Sequence, residues 1–298
     1  MRIRNLTLVC LAALLLPYPS FSQQANDDHP DWTTPIAPFQ VAENLYYVGS
    51  RDLASYLVVT PAGDILINSN LTSSPPQILK SIRQLGFQPH DVKILLISHA
   101  HFDHDAGSAA ILRATGAKYM VMDADVPVVE SGGAKDFAYP DNHYPPAHVD
   151  RVLHDGDTVE LGGVVLTAHK TPGHTRGCTT WTMQAKISGK PRNVVIVGSW
   201  NVNSEFRLVD EPGKPASYPG IVKDFEHTFV VLKSLPCDVF LGAHGAYFNM
   251  LAKLARAQAG AGERAWIDPE GYRKAVEEHE ATFRNELQKE QLAARSSR

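Results

Sequence analysis

One short stretch of the chain concentrates side chains that bind metal ions, SHAHFDHD at residues 98–105. Imidazole nitrogens and carboxylate oxygens are ligands that suit zinc without any cysteine. Just past a strand, side chains two residues apart can point the same way, which lets His99 and His101 share one ion. The turn that follows directs Asp103 and His104 elsewhere, towards a second ion. Burying this many polar groups between an apolar strand and a helix costs free energy unless they have a partner. The stretch therefore predicts a metal site.

Two further histidines lie in turns of small residues directly after predicted strands. His174 lies in TPGHT, and His244 lies in GAHG. Glycine lets the backbone turn tightly, so each imidazole can approach a shared centre. Four ligands from one loop cannot close two metal sites, and these two histidines are therefore predicted to complete them. His169, at the end of the strand before His174, is a further candidate for the neighbourhood of the site.

The elements that position these residues begin with short apolar runs separated by turns, which predict an antiparallel meander. Helical spacing of apolar residues over 75–85 and 106–115 predicts two helices, each followed by glycine. The run at 92–98, apolar apart from Lys93 and Ser98, is typical of a strand buried on both faces. The predicted strands of this half are 39–41, 45–48, 55–60, 64–67, 92–98 and 118–122.

The second half begins with a segment rich in glycine and proline, residues 131–150, which predicts a long loop of the kind that borders a site. A second group of strands and two helices follow. The predicted strands are 151–153, 158–161, 164–169, 178–184, 194–197 and 239–241, and the helices are 218–235 and a tail from Asp268. Because helices must cover the outer faces of both groups of strands, the pattern predicts an α/β fold in one domain, a helix-sheet-sheet-helix sandwich.

The composition of the 298-residue chain is globular, with 44% hydrophobic and 20% charged residues. A net charge of −4 provides no broad basic field, which argues against nucleic acid as a partner. Histidine is frequent, with 13 residues against 3 cysteines. Cys178 and Cys237 allow at most one disulfide, and two separate thiols are the alternative. Nothing requires an oligomer, so a monomer is the default expectation.

The first 22 residues have the pattern of a cleavable secretory leader. Arg2 and Arg4 precede an apolar run at 6–16 that is too short to span a bilayer, and small residues stand at Ser20 and Ser22. An uncleaved anchor is the alternative, but no stop-transfer pattern follows. We therefore expect residues 23–298 to be exported to the periplasm, with no membrane partner once the leader is removed.

Three motifs, HAHFDH, TPGHTRGCTTW and LGAHGAYF, occur in this order along the chain. In sequence and spacing they resemble the metallo-β-lactamase superfamily, and in particular the third subclass of the class B β-lactamases. The first motif marks the superfamily, and the GHT-x-GCT-x-W stretch is more specific. The resemblance covers nearly all of residues 23–298 and implies the αββα four-layer sandwich of the metallo-β-lactamase type.

The resemblance also implies two zinc ions per chain and a role for each candidate ligand. The first ion would be held by His99, His101 and His174, and the second by Asp103, His104 and His244. Asp103 would in addition orient the attacking water, which makes it the catalytic candidate.

Two more residues acquire roles through the same resemblance. Ser199 stands where another subclass has a cysteine ligand, and a serine commonly lies near the second metal in this subclass. Hydroxyacylglutathione hydrolases and many phosphodiesterases of the superfamily have a bridging aspartate there, so these activities lose support. Asn201 stands where the subclass often has a polar residue for the substrate carboxylate, and an asparagine that only stabilises the loop is the alternative.

The function implied is a zinc-dependent β-lactamase. It would hydrolyse the β-lactam amide of penicillins, cephalosporins and carbapenems by metal-activated hydroxide and so confer antibiotic resistance. Another hydrolase of the superfamily, such as a lactonase, is the enzymatic alternative. A periplasmic zinc carrier is the non-enzymatic one, but the candidate ligands are dispersed over several strand ends and no mobile tract rich in histidine is visible.

Three features depart from the family pattern. Arg176 replaces the usual proline of the GHTPG turn, which predicts an altered turn or a side chain at the rim of the site. Asn68 replaces the usual aspartate at a strand end, which predicts weaker support of a metal ligand. Cys178 and Cys237 lack partners at the usual positions. These departures bear on catalytic efficiency and stability more than on the metal site.

Overall fold

The structure, a computed structural model, describes residues 29–211 and 213–296, and the predicted leader lies outside them. Twelve strands in these residues form two sheets. They are β1 Phe39–Ala42, β2 Leu45–Tyr47, β3 Tyr56–Thr60, β4 Gly63–Ile67, β5 Val92–Leu96, β6 Lys118–Met122, β7 Arg151–Leu153, β8 Thr158–Leu161, β9 Val164–Lys170, β10 Thr179–Ile187, β11 Lys190–Val197 and β12 Val239–Gly242.

Seven α-helices connect the strands or cover the sheets within the same residues. They are α1 Pro75–Gln84, α2 Phe102–Asp105, α3 Ser108–Thr115, α4 Val126–Glu130, α5 Ile221–Ser234, α6 Met250–Arg256 and α7 Pro269–Ser296. Short 3-10 turns lie at Pro30–Trp32, at Gly245–Phe248 and elsewhere. None of the helices described is long and apolar enough to cross a membrane.

The first sheet has the order β1-β2-β3-β4-β5-β6-β7, and the second has the order β12-β11-β10-β9-β8. Strands β1 to β4 pair antiparallel with their neighbours, which confirms the predicted meander. Strands β4 to β7 pair parallel, as do β11 and β12. The carboxyl ends of β4, β5 and β6 therefore lie at one edge of the first sheet, where loops can converge.

Two hydrophobic clusters hold the layers together. One lies on the outer face of the first sheet, where Ile78 and Ile82 of α1 and Ile111 of α3 share a cluster with strand residues such as Leu66 and Leu95. The other fills the space between the sheets and continues to α5 and α7. The order of layers is thus helix, sheet, sheet, helix, and the predicted fold is confirmed.

Most predicted elements are confirmed within a few residues, and the main differences are in short helices. The chain turns helical at Phe102, before the predicted start at 106, so Asp103 and His104 lie on a helical turn. Helices α4 and α6 were not predicted. Helix α4 has the sequence VPVVE, whose β-branched residues have low helix propensity, and it depends on tertiary contacts instead.

Hydrogen bonds between the two sheets fix the edge where the candidate ligands lie. The indole N–H of Trp181 donates to the carbonyl of Ile97 at 3.0 Å, and the backbone N–H of Thr179 donates to the carbonyl of Ser98 at 2.7 Å. The hydroxyl of Tyr56 donates to the carbonyl of Gly242 at 2.7 Å. Strand β10 is thereby attached to the start of the His99 motif, and β3 is attached to the end of β12.

Candidate metal centre

The first group of candidate ligands combines the loop after β5 with the turn after β9. One ring nitrogen from each of His99, His101 and His174 lies within 4.8 Å of the others. All three side chains are buried, and their ring centroids are 4.6–5.0 Å apart. Three imidazoles at this spacing can hold one metal ion, with a position left for water or substrate.

The second group adds the turn after β12. The Oδ2 atom of Asp103 lies 3.2 Å from Nε2 of His104 and 3.4 Å from Nε2 of His244. The two Nε2 atoms are 3.1 Å apart. Ligands of tetrahedral zinc, each at about 2.0–2.2 Å from the ion, lie about 3.3 Å from one another. The triangle formed by these three atoms therefore fits a zinc ion.

Several nitrogen atoms in the cluster are buried without a hydrogen-bond partner among the described residues. They include Nε2 of His99 and Nε2 of His101. Buried polar atoms in folded proteins are nearly always paired, and an unpaired one needs an explanation such as an ion. The unpaired nitrogens are thus a second observation, independent of spacing, that the cluster fits a metal.

Hydrogen bonds behind the cluster orient two of the imidazoles. Nδ1 of His174 donates to the carbonyl of Asn201 at 2.8 Å, and Nδ1 of His244 donates to Oδ2 of Asp52 at 2.9 Å. A donor bond from Nδ1 leaves Nε2 unprotonated and free to act as a ligand. In both residues, Nε2 is therefore the atom available to a metal.

The electrostatics of the cluster give most of the candidate ligands the protonation state that a metal ligand needs. Burial lowers the pKa of His99 well below its usual range and that of His101 to about 4. Burial alone would raise the pKa of Asp103, but the imidazoles of His104 and His244 hold it well below its usual range. For His244, burial is outweighed by the carboxylates of Asp103 and Asp52, which raise its pKa to about 9. His99 and His101 are therefore neutral beside an ionised carboxylate, whereas His244 must release one proton when a divalent cation binds.

Asp125 connects the two loops of the first group and was missed by the sequence analysis. Its side chain is 1% exposed and accepts hydrogen bonds from the N–H of Ala100 at 2.9 Å, the hydroxyl of Thr175 at 2.8 Å and the N–H of Gly177 at 2.8 Å. Ala100 lies between His99 and His101, and Thr175 follows His174. No motif surrounds Asp125 in the sequence, so no local signal could have identified it.

The predicted substrate-binding residues lie beside a tyrosine that was also missed. The hydroxyl of Ser199 is 3.0 Å from that of Tyr247, and the amide of Asn201 donates to the Tyr247 hydroxyl at 3.1 Å. Ser199 is only 1% exposed. The two predicted residues thus act as one cluster with Tyr247, which the LGAHGAYF motif contained without any separate signal.

Aromatic side chains from three segments surround the cluster. The ring of Trp32 lies 5.8 Å from that of His244, and the ring of Tyr139 lies 5.0 Å from that of His101. Phe102 lies between Trp32 and Tyr139, at 6.3 and 6.0 Å from their rings. Tyr139 belongs to the 131–150 segment, which therefore borders the site, as long loops of this kind often do. The rim can pack against an apolar part of a substrate.

The structure shows the contacts of two residues that depart from the family pattern, Asn68 and Arg176. Asn68 touches no candidate ligand directly; its amide donates to the carbonyl of Ala54 at 3.2 Å and accepts from the N–H of Ser98 at 2.7 Å. An aspartate could not donate the first of these bonds, and the expected weaker support of a metal ligand stays a prediction. Arg176 is exposed, and its guanidinium lies 5.5 Å from the ring of Tyr218.

Two other residues can be placed in relation to the site. His169 is not part of it, because it lies on the outer face of the second sheet and its Nε2 is 2.8 Å from the hydroxyl of Thr182. Cys178 and Cys237 are both free thiols, so the alternative of separate thiols is the one observed.

Comparison with known proteins agrees with this geometry. The profile of the Metallo-beta-lactamase superfamily matches residues 51–244. The structure is similar to that of FEZ-1 metallo-beta-lactamase from Legionella gormanii, with 51% identity, a TM-score of 0.83, and coverage of 87% of this chain and 98% of that one. It is also similar to the class B3 di-zinc metallo-beta-lactamase LRA-12 from an Alaskan soil metagenome, with 34% identity, a TM-score of 0.77, and coverage of 86% and 96%.

Curated relatives are more distant and carry broader names. A UPF0173 metal-dependent hydrolase from Anaeromyxobacter dehalogenans is 28% identical over 77% of this chain and 73% of that protein. A probable metallo-hydrolase from Burkholderia pseudomallei is 30% identical, but the match spans only 38% of this chain and 37% of that relative. Together with the His/Asp cluster, the comparisons support a metal-dependent hydrolase that binds zinc.

Proposed function

Because the chain belongs to the metallo-beta-lactamase superfamily, we propose that it is a zinc-dependent β-lactamase that hydrolyses penicillins, cephalosporins and carbapenems. The observation that carries the proposal is the pair of ligand groups with aromatic walls, on a chain 51% identical to a metallo-beta-lactamase over nearly its whole length. The names of the curated relatives support only a metal-dependent hydrolase. The β-lactam specificity is therefore what experiment must test.

The proposal assigns two zinc ions per chain. His99, His101 and His174 would hold the first, and Asp103, His104 and His244 would hold the second. When bound, such ions supply a water of lowered pKa and a Lewis acid that polarises the scissile carbonyl.

The protein's own groups then orient the reaction. The ionised carboxylate of Asp103 accepts a hydrogen bond from the attacking water and holds it towards the carbonyl carbon. Trp32, Phe102 and Tyr139 exclude bulk water and pack against the side groups of the substrate. Ser199, Asn201 and Tyr247, whose hydroxyl and amide groups bond to one another, are the residues that we assign to the substrate carboxylate.

Removal of the Tyr247 hydroxyl tests this last assignment. In Tyr247→Phe the ring keeps its packing, but Ser199 and Asn201 lose their shared partner. We expect the KM for a penicillin to rise about 2- to 10-fold, the equivalent of one hydrogen bond, with zinc content unchanged. Steady-state kinetics and metal analysis measure both. An unchanged KM would remove the Tyr247 hydroxyl from substrate binding.

Metal removal tests the activity itself. The purified chain is expected to hydrolyse a carbapenem, to lose that activity after dialysis against a chelator, and to regain it when zinc is added, because no seryl or cysteinyl nucleophile is proposed. Absorbance at the β-lactam band follows the reaction, and a parallel panel of lactones tests the alternative of a lactonase. Activity on lactones alone would reject the β-lactamase proposal, and full activity in verified metal-free protein would reject zinc.

The proposal includes export and a contribution to antibiotic resistance. Residues 1–22 would direct the chain to the periplasm, where a β-lactamase meets its substrates before they reach their targets. We propose that the enzyme is a monomer. Fractionation of cells that express the full chain, together with their sensitivity to a carbapenem, tests both points.

A further inference from the structure

Asp52 stands directly behind the second group of candidate ligands. Its Oδ2 accepts the Nδ1 proton of His244 at 2.9 Å, and its Oδ1 accepts the N–H of Ala246 at 2.9 Å. Two donors from the turn after β12 thus converge on one carboxylate, which is not itself a candidate ligand.

Trp32 belongs to the N-terminal arm, residues 29–37. Three contacts attach the arm to the turn that carries Asp52. Arg51 forms an ion pair with Asp31 at 2.8 Å. The backbone N–H of Arg51 donates to the carbonyl of Thr34 at 3.0 Å, and that of Asp52 donates to the carbonyl of Asp31 at 3.1 Å. Arm and turn therefore hold one another in place. The ring of Trp32 also lies 5.8 Å from that of His244, so the arm touches the imidazole directly as well as through Asp52.

We infer that Asp52 and the N-terminal arm set the affinity of the second metal site by fixing the orientation of His244. Asp52 is a positioning residue in this arrangement, since it acts through the imidazole and not on substrate. Carboxylates that accept the second proton of a ligating histidine fix its tautomer and increase its basicity. The inference rests on the proposed two-zinc function, and it extends that function to a segment outside the residues matched by the family profile, 51–244.

The first metal site provides an internal reference. His174 is oriented by the carbonyl of Asn201, and Nδ1 of His99 lies 3.1 Å from the hydroxyl of Ser98. Neither of these groups belongs to the N-terminal arm or to the Asp52 turn. A change at Asp52 or Trp32 should therefore weaken the second site and leave the first unaffected, whereas a general loss of structure would weaken both.

The test compares two variants that weaken this support to different degrees. In Asp52→Asn, one oxygen remains for two donors, and the amide NH2 must face one of them. We expect the second zinc to bind about 10- to 100-fold more weakly, with the first unchanged. In Trp32→Phe a smaller ring faces His244, and we expect about 2- to 10-fold weaker binding at the second site. Competition with a chromophoric chelator gives both affinities without any assay of hydrolysis.

Asp268→Asn is the matched control, because Asp268 also accepts two bonds, from Lys253 at 2.9 Å and from Gly271 at 3.0 Å, but outside the cluster. It should keep both zinc affinities. Excess zinc should restore two ions to Asp52→Asn, which a misfolded chain would not allow. Wild-type affinity at both sites in Asp52→Asn and Trp32→Phe would overturn the inference alone. A wild-type chain that binds a single zinc would overturn the two-zinc proposal and the inference with it.

Discussion

Replacement of His174 by alanine is expected to lower kcat/KM for a β-lactam by about 1,000-fold or more, because several kcal/mol of transition-state stabilisation depend on the first metal. His174 supplies one of only three nitrogens in the first group, and the turn that carries it is held by the Asn201 carbonyl. Two remaining imidazoles, His99 and His101, cannot retain a catalytic zinc at ordinary free concentrations. Steady-state kinetics and zinc content per chain, measured on the same sample, test both losses.

His169→Ala is the matched control for this prediction. It removes an imidazole only five positions away in the sequence, on the outer face of the second sheet beside Thr182. It should keep both zinc ions and nearly all of the activity. If His174→Ala retained turnover within a few-fold of the wild type, His174 would not be a ligand, and the assignment of the first site would have to be abandoned.

The contrast between His174 and His169 shows what sequence can and cannot predict here. A glycine-rich turn after a strand is a local property, so the position of His174 at a strand end could be read from TPGHT. Whether a side chain in a strand faces the core or solvent depends on register, and a shift of one residue reverses it. His169 follows Ala168, which faces the core, and it therefore points away from the site.

The same reasoning explains why the two sheets and most helices were predictable. Strand runs such as residues 94–96 are apolar because both faces are buried there, and the tail helix has apolar residues on one face because it packs on a sheet. Short helices such as α2 and α4 have too few residues for a periodic pattern to appear. Their conformation is decided by contacts that the local sequence does not contain.

The groups that support the ligands were beyond prediction for a related reason. Asp52 is 192 positions from His244, and Asp125 is 50 positions from Thr175. Neither belongs to a motif, and the sequence contains 32 acidic residues from which to choose. Motifs identify the candidate metal ligands, but only the folded chain shows which carboxylates form hydrogen bonds to those ligands or to their neighbours.

Asp125→Ala tests whether one such carboxylate joins the two halves of the first site. The change leaves three buried donors without a partner, the N–H of Ala100, the hydroxyl of Thr175 and the N–H of Gly177. Each buried unpaired donor costs about 1–3 kcal/mol, and we expect a total loss in the free energy of unfolding of about 3–5 kcal/mol. For a chain of this size that is a fall in Tm of about 5–15 °C. Thermal unfolding of the metal-free protein measures it.

Asp150→Ala is the control, since Asp150 also accepts two bonds, from Lys118 and Tyr119, both at 2.9 Å, but lies nearer the surface. Water can satisfy its partners, so we expect a loss of about 1 kcal/mol or less. Asp125→Ala should also weaken the first zinc, because Ala100 and Thr175 are adjacent to its ligands. If stability falls while zinc affinity stays at the wild-type value, Asp125 supports the fold but does not position the ligands. If neither changes, the three hydrogen bonds do not constrain these loops, and the rigidity of the first site must come from the strands themselves.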